Sequence, residues 1–267
     1  MAERIGEVMD TVLEIAGVNR TYADDKENIV DALFDINLSV NRGEFLTFIG
    51  SSGCGKTTLL RLIAGLDEPQ SGKLLLDGKE IHGTNPNRGY VVQQGGLFPW
   101  SSVEQNIAFG LKVRGKYAGR KANVQKYINL IGLDGFEKSF PHQISGGMAQ
   151  RVAIARALIN EPEVLLLDEP MGALDSFTRA DIQDKLLELR KESGATMLLV
   201  THDVDEAIYL SDRIVIMTPR PGKINSILEV KLPHPRQRSS AEFLALRRDI
   251  LEMLQLANTQ PQPEYTI

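Results

Sequence analysis

Cysteine is all but absent from this chain. A single Cys54 among 267 residues can form no internal disulfide, so nothing calls for an oxidising compartment and the cytoplasm is the expected one. Positive charge is short as well. Thirty lysines and arginines stand against 35 aspartates and glutamates, a net charge of -5, which argues against a chain whose main task is to cover nucleic-acid phosphates. Long apolar runs are missing: the longest, such as VLLL at Val164 to Leu167, fall far short of the roughly 18 residues of a spanning helix. The opening MAERIGEVMD lacks the charged-then-apolar order of a signal peptide. The expectation is a chain that does not enter a membrane by itself; if it works at one, a partner spans the bilayer. No internal repeat or low-complexity block stands out, and 42% hydrophobic with 24% charged residues is an ordinary balance for a folded chain of one large or two small domains.

What is present is an interleaving of strand and helix patterns. Phe34, Ile36, Leu38 and Val40 alternate with polar neighbours, NRGE turns the chain, and FLTFI predicts a buried strand that runs into GSSGCGKTTLL, Gly50 to Leu60. The helix that follows is expected to end near Gly65. KLLL, the DGK turn and GYVV predict a small strand-rich section around a ligand. From Ser101 to Phe140 the pattern is polar, lysine-rich and helical in period, with Ile107, Leu111, Tyr127, Leu130 and Ile131 as buried positions. Strand and helix then return: VLLLD, a helix from about Ser176 to Glu192 stopped by Gly194, TMLLVTHD, a short helix and RIVIM. Pro233 to Arg238 reads as a basic, proline-rich link, Glu242 to Leu256 as an amphipathic helix, and the remainder as a polar, disordered tail.

The glycine stretch carries the first chemistry. Gly50, Gly53 and Gly55 let the backbone curl until its amides converge on phosphate oxygens, Lys56 adds a cation, Thr57 offers a hydroxyl to magnesium, and the following helix points its positive end at the same place. A glycine-rich turn by itself calls for neither Lys56 nor Thr57. The second half of the site ends the strand VLLLDEP: Asp168 is suited to hold the magnesium, and Glu169 to orient and deprotonate an attacking water. Between the halves lies ISGGMAQRVAIARAL, where Ser145, Gly146 and Gly147 open a helix with a hydroxyl and bare amides. That is either a second phosphate-binding end or a glycine-rich cap with no ligand.

Taken together these motifs resemble the ATP-binding cassette ATPases, over about Val12 to Asn225. In that family two cassettes pair head to tail, and each ATP is held by one subunit's glycine loop and the other's signature serine. The resemblance implies an α/β P-loop fold of the cassette type: a RecA-like core sheet, an antiparallel β subdomain and an inserted helical subdomain. The ATPase domain would span residues 1–235, its helical part about 97–160, and a C-terminal helix and tail 236–267. Carried onto this chain, GSSGCGKT is the Walker A loop, with Gly50, Ser51, Ser52, Gly53, Cys54, Gly55, Lys56, Thr57 and Thr58 at the nucleotide. Gln93 in VVQQGGLFPW is the Q-loop glutamine, which serves both catalysis and the magnesium beside Thr57 and Asp168. ISGGMAQ is the signature, with Ser145, Gly146 and Gly147; LLLDEP is Walker B with Glu169 as the base; Ala173 to Asp175 form the D-loop; His202 in LVTHD is the switch histidine. Ile144 and Met148 stand where leucine and glutamine are usual and leave the serine and glycines intact. Tyr22 is either the aromatic that stacks on adenine or a core tyrosine. His82, His142 and His234 are read as structural.

The implied cofactors are ATP and Mg2+. One cassette in one chain with no spanning run resembles a bacterial importer subunit, and LFPW, PHQISGGMAQRVAIARAL and THDVDEAIYLSDRIVIMTPRPGKI resemble the nitrate, sulfonate and taurine branch. The implied partners are a second ATPase subunit, identical or related, transmembrane permease subunits and, indirectly, a solute-binding protein, with no nucleic acid. The place would be the cytoplasmic face of the plasma membrane. The alternatives are another cassette system, an exporter or soluble factor, or a P-loop small-molecule kinase. Two residues carry separate expectations. Cys54, near a helix N-terminus, is either a reactive thiol or a small filler. Trp100, the only tryptophan, either leads a groove for a permease helix or fills the core of the helical region.

Overall fold

Runs of four or five consecutive apolar or β-branched residues, such as VLLL and TMLLV, have no polar face to show to water, so they form strands covered on both sides. The computed structural model describes residues 10–23, 29–93, 96–172 and 174–259. In chain order, β1 (Thr11–Ala23) and β2 (Ile29–Asn41) lead into β3 (Phe45–Ile49) and α1 (Lys56–Ala64); β4 (Ser71–Leu76), β5 (Lys79–Glu80) and β6 (Arg88–Val91) follow. The helices α2 (Val103–Val113), α3 (Tyr117–Leu130) and α4 (Gly146–Leu158) precede β7 (Val164–Asp168), α5 (Ser176–Ser193), β8 (Thr196–Val200), α6 (Val204–Leu210), β9 (Arg213–Met217), β10 (Ile224–Glu229) and α7 (Ala241–Thr259).

Two sheets result. An antiparallel one is ordered β2-β1-β4-β5, and a six-stranded one β10-β9-β3-β8-β7-β6, parallel except for the edge strand β10. Alternate residues of the central strands feed two different cores, as a period of two requires. Leu46, Phe48, Leu166 and Leu198 pack with α1 and the antiparallel sheet. Phe45, Ile49, Leu165, Leu167 and Leu199 pack with the helices on the other face. The site therefore sits where β3, β7 and β8 end, on a sheet clamped from both sides.

Gly65 caps α1 in the left-handed conformation at φ 72°, and a Cβ there would stand 1.8 Å from the Gly83 carbonyl oxygen, so the expected stop is also a close approach. Gly194 caps α5 in the same conformation, and Asp77-Gly78 turns β4 into β5 with both residues at positive φ. In the helical region Ile107, Leu111 and Ile131 are buried as expected, and Tyr127 and Leu130 pack partly against the same core.

Several expectations need correcting. Phe34 is exposed, and Leu33 takes the inward position instead. The pairing of β1 with β2 slips between Val18/Ile36 and Arg20/Leu33, and Asp35 at φ 49° forms the irregularity, so the inward set shifts by one residue. GYVV does not join the small antiparallel sheet: it is the edge strand β6 of the large one, parallel to β7. The strand β10 gave no recognised signal in INSILE. The link Pro233 to Arg238 is not all surface. Arg236 is buried, donates to the carbonyls of Ile208, Ser211 and Leu232 at 2.5, 2.7 and 3.0 Å, and its pKa is pulled down to about 10 by burial. The C-terminal helix is present as α7, which buries Phe243 and Ile250; the polar tail lies outside the described residues.

Candidate functional site

The glycine loop stands between β3 and α1, with Gly53 at φ 77° and Gly55 at φ 97°, conformations that side chains rarely adopt. At Gly55 space is also closed: a Cβ would lie 2.6 Å from the Ala32 carbonyl oxygen. No side chain caps the N-terminus of α1, which leaves its first amides to a ligand. Lys56 is buried and folded back over the loop, its Nζ donating to the carbonyls of Gly50 at 2.8 Å and Ser51 at 3.0 Å. Cys54 is only 1% exposed, with its Sγ 3.6 Å from Lys56 Nζ. The thiol is a filler beneath the loop, and its burial removes the expectation of a freely reactive group.

Asp168 terminates β7. Its Oδ1 accepts from Thr57 Oγ1 at 2.9 Å and its Oδ2 from the Tyr90 hydroxyl at 2.8 Å. Burial, and then the hydrogen bond to Asp168, raise the Tyr90 pKa, so the phenol stays a donor. The next residue, Glu169, is a non-glycine at φ 43°, a backbone strain of the kind that gathers at functional sites. Its Oε2 is 3.3 Å from Gln93 Nε2, which donates to it, and 3.3 Å from Nδ1 of His202. The ends of four strands, β3 through the glycine loop, β6, β7 and β8, thus bring Thr57, Gln93, Asp168, Glu169 and His202 together. Among the described residues there is no group of three His, Cys, Asp or Glu able to cage a metal. A hydroxyl paired with one carboxylate suits Mg2+, which takes hard oxygen ligands and completes its shell from water and phosphate.

A cleft of about 380 Å3 adjoins the loop, lined by Tyr22, Val30, Ala32, Ser52, Gly53, Lys56, Thr57, Thr58, Glu169 and Arg220. Tyr22 is no core residue: its ring lines the cleft, its hydroxyl donates to Asp67 at 2.6 Å, and the Arg20 guanidinium covers it at 4.6 Å.

Ser145 caps α4, its Oγ accepting from Met148 N at 3.2 Å, and it is exposed. Gly146 is exposed as well and lines a separate cleft with Gln93, Leu97 and Pro170. Gly147 differs from expectation: it is buried, and a Cβ there would stand 2.2 Å from Thr178 Cγ2, so its bareness serves the packing of α4 on α5. Asp175 caps α5, accepting from the amides of Phe177 at 3.1 Å and Thr178 at 3.0 Å, and its pKa is lowered chiefly by the Thr178 hydroxyl. Ala173, Gln94 and Gly95 lie outside the described residues.

Sequence reasoning missed four residues around this constellation. Tyr90 had no signal of its own, because its partner depends on which strand lies beside β7. Arg179 ties the segment before α5 to the loop after His202, donating to the Leu174 carbonyl at 3.2 Å and Asp203 Oδ2 at 3.0 Å. Glu206 is buried one turn into α6 and takes a hydrogen bond from the Thr201 hydroxyl. Arg220 reaches the cleft from the β9-β10 turn.

The chain is similar to several known proteins. A family model described as ABC transporter matches residues 33–172. A chain of Methanocaldococcus jannaschii named an uncharacterized ABC transporter ATP-binding protein is 53% identical over 228 residues, 85% of each chain. An aliphatic sulfonates import ATP-binding protein of Bacillus cereus is 49% identical over 234 residues, 88% of this chain and 92% of that one. Among solved structures, a dimeric ATP-binding cassette in a post-hydrolysis state, bound to ADP and Pi, is 32% identical with a TM-score of 0.71, covering 83% of this chain and all of that one. A cassette of Clostridium perfringens that is part of an ABC transporter complex is 30% identical with a TM-score of 0.75, covering 93% and 98%.

Proposed function

The chain belongs to the ABC transporter family, and on that premise we propose that it is the ATP-hydrolysing subunit of an importer, pairing with a second cassette around two ATP molecules. The observation that carries this is the convergence of Thr57, Asp168, Gln93, Glu169 and His202 beside a glycine loop, with the signature serine exposed at the cap of α4 outside the loop's cleft. Lys56 and the loop amides bind the phosphates; Tyr22 supports the base. Thr57, Asp168 and Gln93 hold Mg2+, which neutralises phosphate charge when bound. Glu169 orients and deprotonates the attacking water, with His202 and Gln93 placing its carboxylate, and Asp175 sits at the junction with the partner cassette.

The chain works at the cytoplasmic face of the plasma membrane, held by permease subunits. Among the described residues no helix is long and apolar enough to cross a membrane. The permease is received in the groove of Phe98, Phe109 and Val113, next to Trp100, which is 74% exposed and therefore no core filler. Residues 1–235 make up the ATPase domain, with about 97–160 its inserted helical part, and 236–267 a C-terminal helix and polar tail, the helix packed on the same core through Phe243 and Ile250. The solute class is a small anion such as a sulfonate, taurine or nitrate, a reading supported by the sulfonate-import relatives and delivered by a solute-binding protein. The test is transport: vesicles holding this chain with the permease encoded beside it should accumulate a radiolabelled sulfonate, taurine or nitrate only with ATP. Crosslinks should join Trp100 to a cytoplasmic permease loop. ATP-independent uptake, or a solved complex with that groove in open solvent, would refute the assignment.

A further inference from the structure

The turn joining β9 to β10 is fastened to the glycine loop. Thr218 N donates to the Lys223 carbonyl at 2.9 Å and Lys223 N to the Thr218 hydroxyl at 3.0 Å, which closes the turn on itself. Gly222 N donates to the Ala32 carbonyl at 3.1 Å, and Phe34 N to the Gly222 carbonyl at 3.0 Å, which ties the turn to β2. A Cβ on Gly222 would stand 2.0 Å from the Cys54 carbonyl oxygen, so the turn's backbone lies against the loop itself. Lys223 Nζ, 4.4 Å above the Phe34 ring, adds a further tie.

Arg220 sits two residues before that contact, so its Cα is held in place. Its side chain lines the cleft with Tyr22, Val30, Ser52 and Gly53. One terminal nitrogen lies 3.6 Å from the point where a Cβ on Gly53 would stand. Arg220 also borders a neighbouring cleft with Asp31. No described residue hydrogen-bonds or ion-pairs with this guanidinium, whereas Arg20, Arg42, Arg179 and Arg213 all hold carboxylates. Lys56 is folded back onto the Gly50 and Ser51 carbonyls. A fork of donors beside Gly53, fixed at its base and without a partner among the described residues, is suited to a phosphate oxygen.

We propose that Arg220 binds the phosphate chain of the nucleotide beside Ser52 and Gly53, as a second cation complementing Lys56. This rests on the reading of the cleft as an ATP site. The contact is with phosphates common to ATP and ADP.

Equilibrium titration of ATP and of ADP into the full chain tests it, with wild type, Arg220→Ala, Arg220→Lys and Lys56→Ala compared. Arg220→Ala should weaken both nucleotides about ten-fold, the scale of one charged hydrogen bond, and its affinity should fall less steeply with added salt. Arg220→Lys should recover part of the loss. The melting temperature without ligand should be unchanged, since the side chain is exposed and holds no described residue. Affinity of Arg220→Ala within two-fold of wild type, with the same salt dependence, overturns the proposal while leaving the ATP site standing, provided Lys56→Ala has lost binding. Failure of the wild type itself to bind ATP overturns both.

Discussion

At Glu169 the backbone conformation and the position of the side chain go together. A positive φ of 43° turns the carboxylate toward Gln93 and His202 rather than along the strand axis. Glu169→Gln keeps the shape and removes the base, so hydrolysis should slow by roughly 10² to 10⁴ while ATP binding persists. The variant should accumulate as an ATP-bound dimer on size exclusion, and turnover at the wild-type rate would reject the role. Glu206 presents a different case. Burial raises its pKa from 4.5 to about 7, with Asp203 also raising it while Thr201, Arg179 and Gln183 pull the other way. Between those two values the folded chain keeps a proton that the unfolded chain has released, so stability falls as pH rises through that window and then levels off. Glu206→Gln should flatten this slope, matching the wild-type melting temperature near about pH 5 and exceeding it at about pH 8. A parallel pair of melting curves across that range would show that Glu206 does not carry the proton.

At the scale of elements, the signature helix and the helix after it are joined through a missing side chain. Gly147 on α4 meets Thr178 on α5 so closely that a Cβ would overlap the threonine methyl at 2.2 Å, with the next Thr178 atom at 3.7 Å. Gly147→Ala should therefore destabilise the chain by about 1–3 kcal/mol, the usual cost of overpacking, read by denaturant unfolding. Adding Thr178→Ser removes the offending methyl and should restore most of the loss, since the pair is in contact and non-additive. If the double variant is no more stable than Gly147→Ala, the clash is elsewhere. The same packing places Ser145, at the cap of α4, on a helix steadied by α5, whose own cap is Asp175.

For the whole molecule the decisive fact is that Ser145 and the glycine loop do not share a cleft. The loop's cleft is walled by Tyr22, Lys56, Glu169 and Arg220, while Gly146, beside Ser145, borders another with Gln93 and Pro170. A γ-phosphate held by both halves needs a second chain. Mixing inactive Lys56→Ala protein with inactive Ser145→Arg protein should then restore partial hydrolysis, because a mixed dimer has one doubly damaged site and one intact site. Full activity of a monomer carrying Ser145→Arg would instead favour a self-contained phosphotransferase.

The sequence by itself determined what local spacing can encode. The apolar run before Gly50 and the helix after Gly55, the Asp168-Glu169 pair closing VLLL, and the stops at Gly65 and Gly194 follow from residues within a few positions of each other. Only the tertiary structure decided what depends on strand order and register. The order β3-β8-β7-β6 brings Tyr90 to Asp168, and Gln93 and His202 to Glu169. A slip beside Asp35 turned Phe34 outward and Leu33 inward. The β9-β10 turn laid Arg220 beside the loop, and a ring of carbonyls buried Arg236. Such contacts are invisible to periodicity because a strand's alternation is the same whichever neighbour it pairs with, and the neighbour is chosen by the packing of both cores at once.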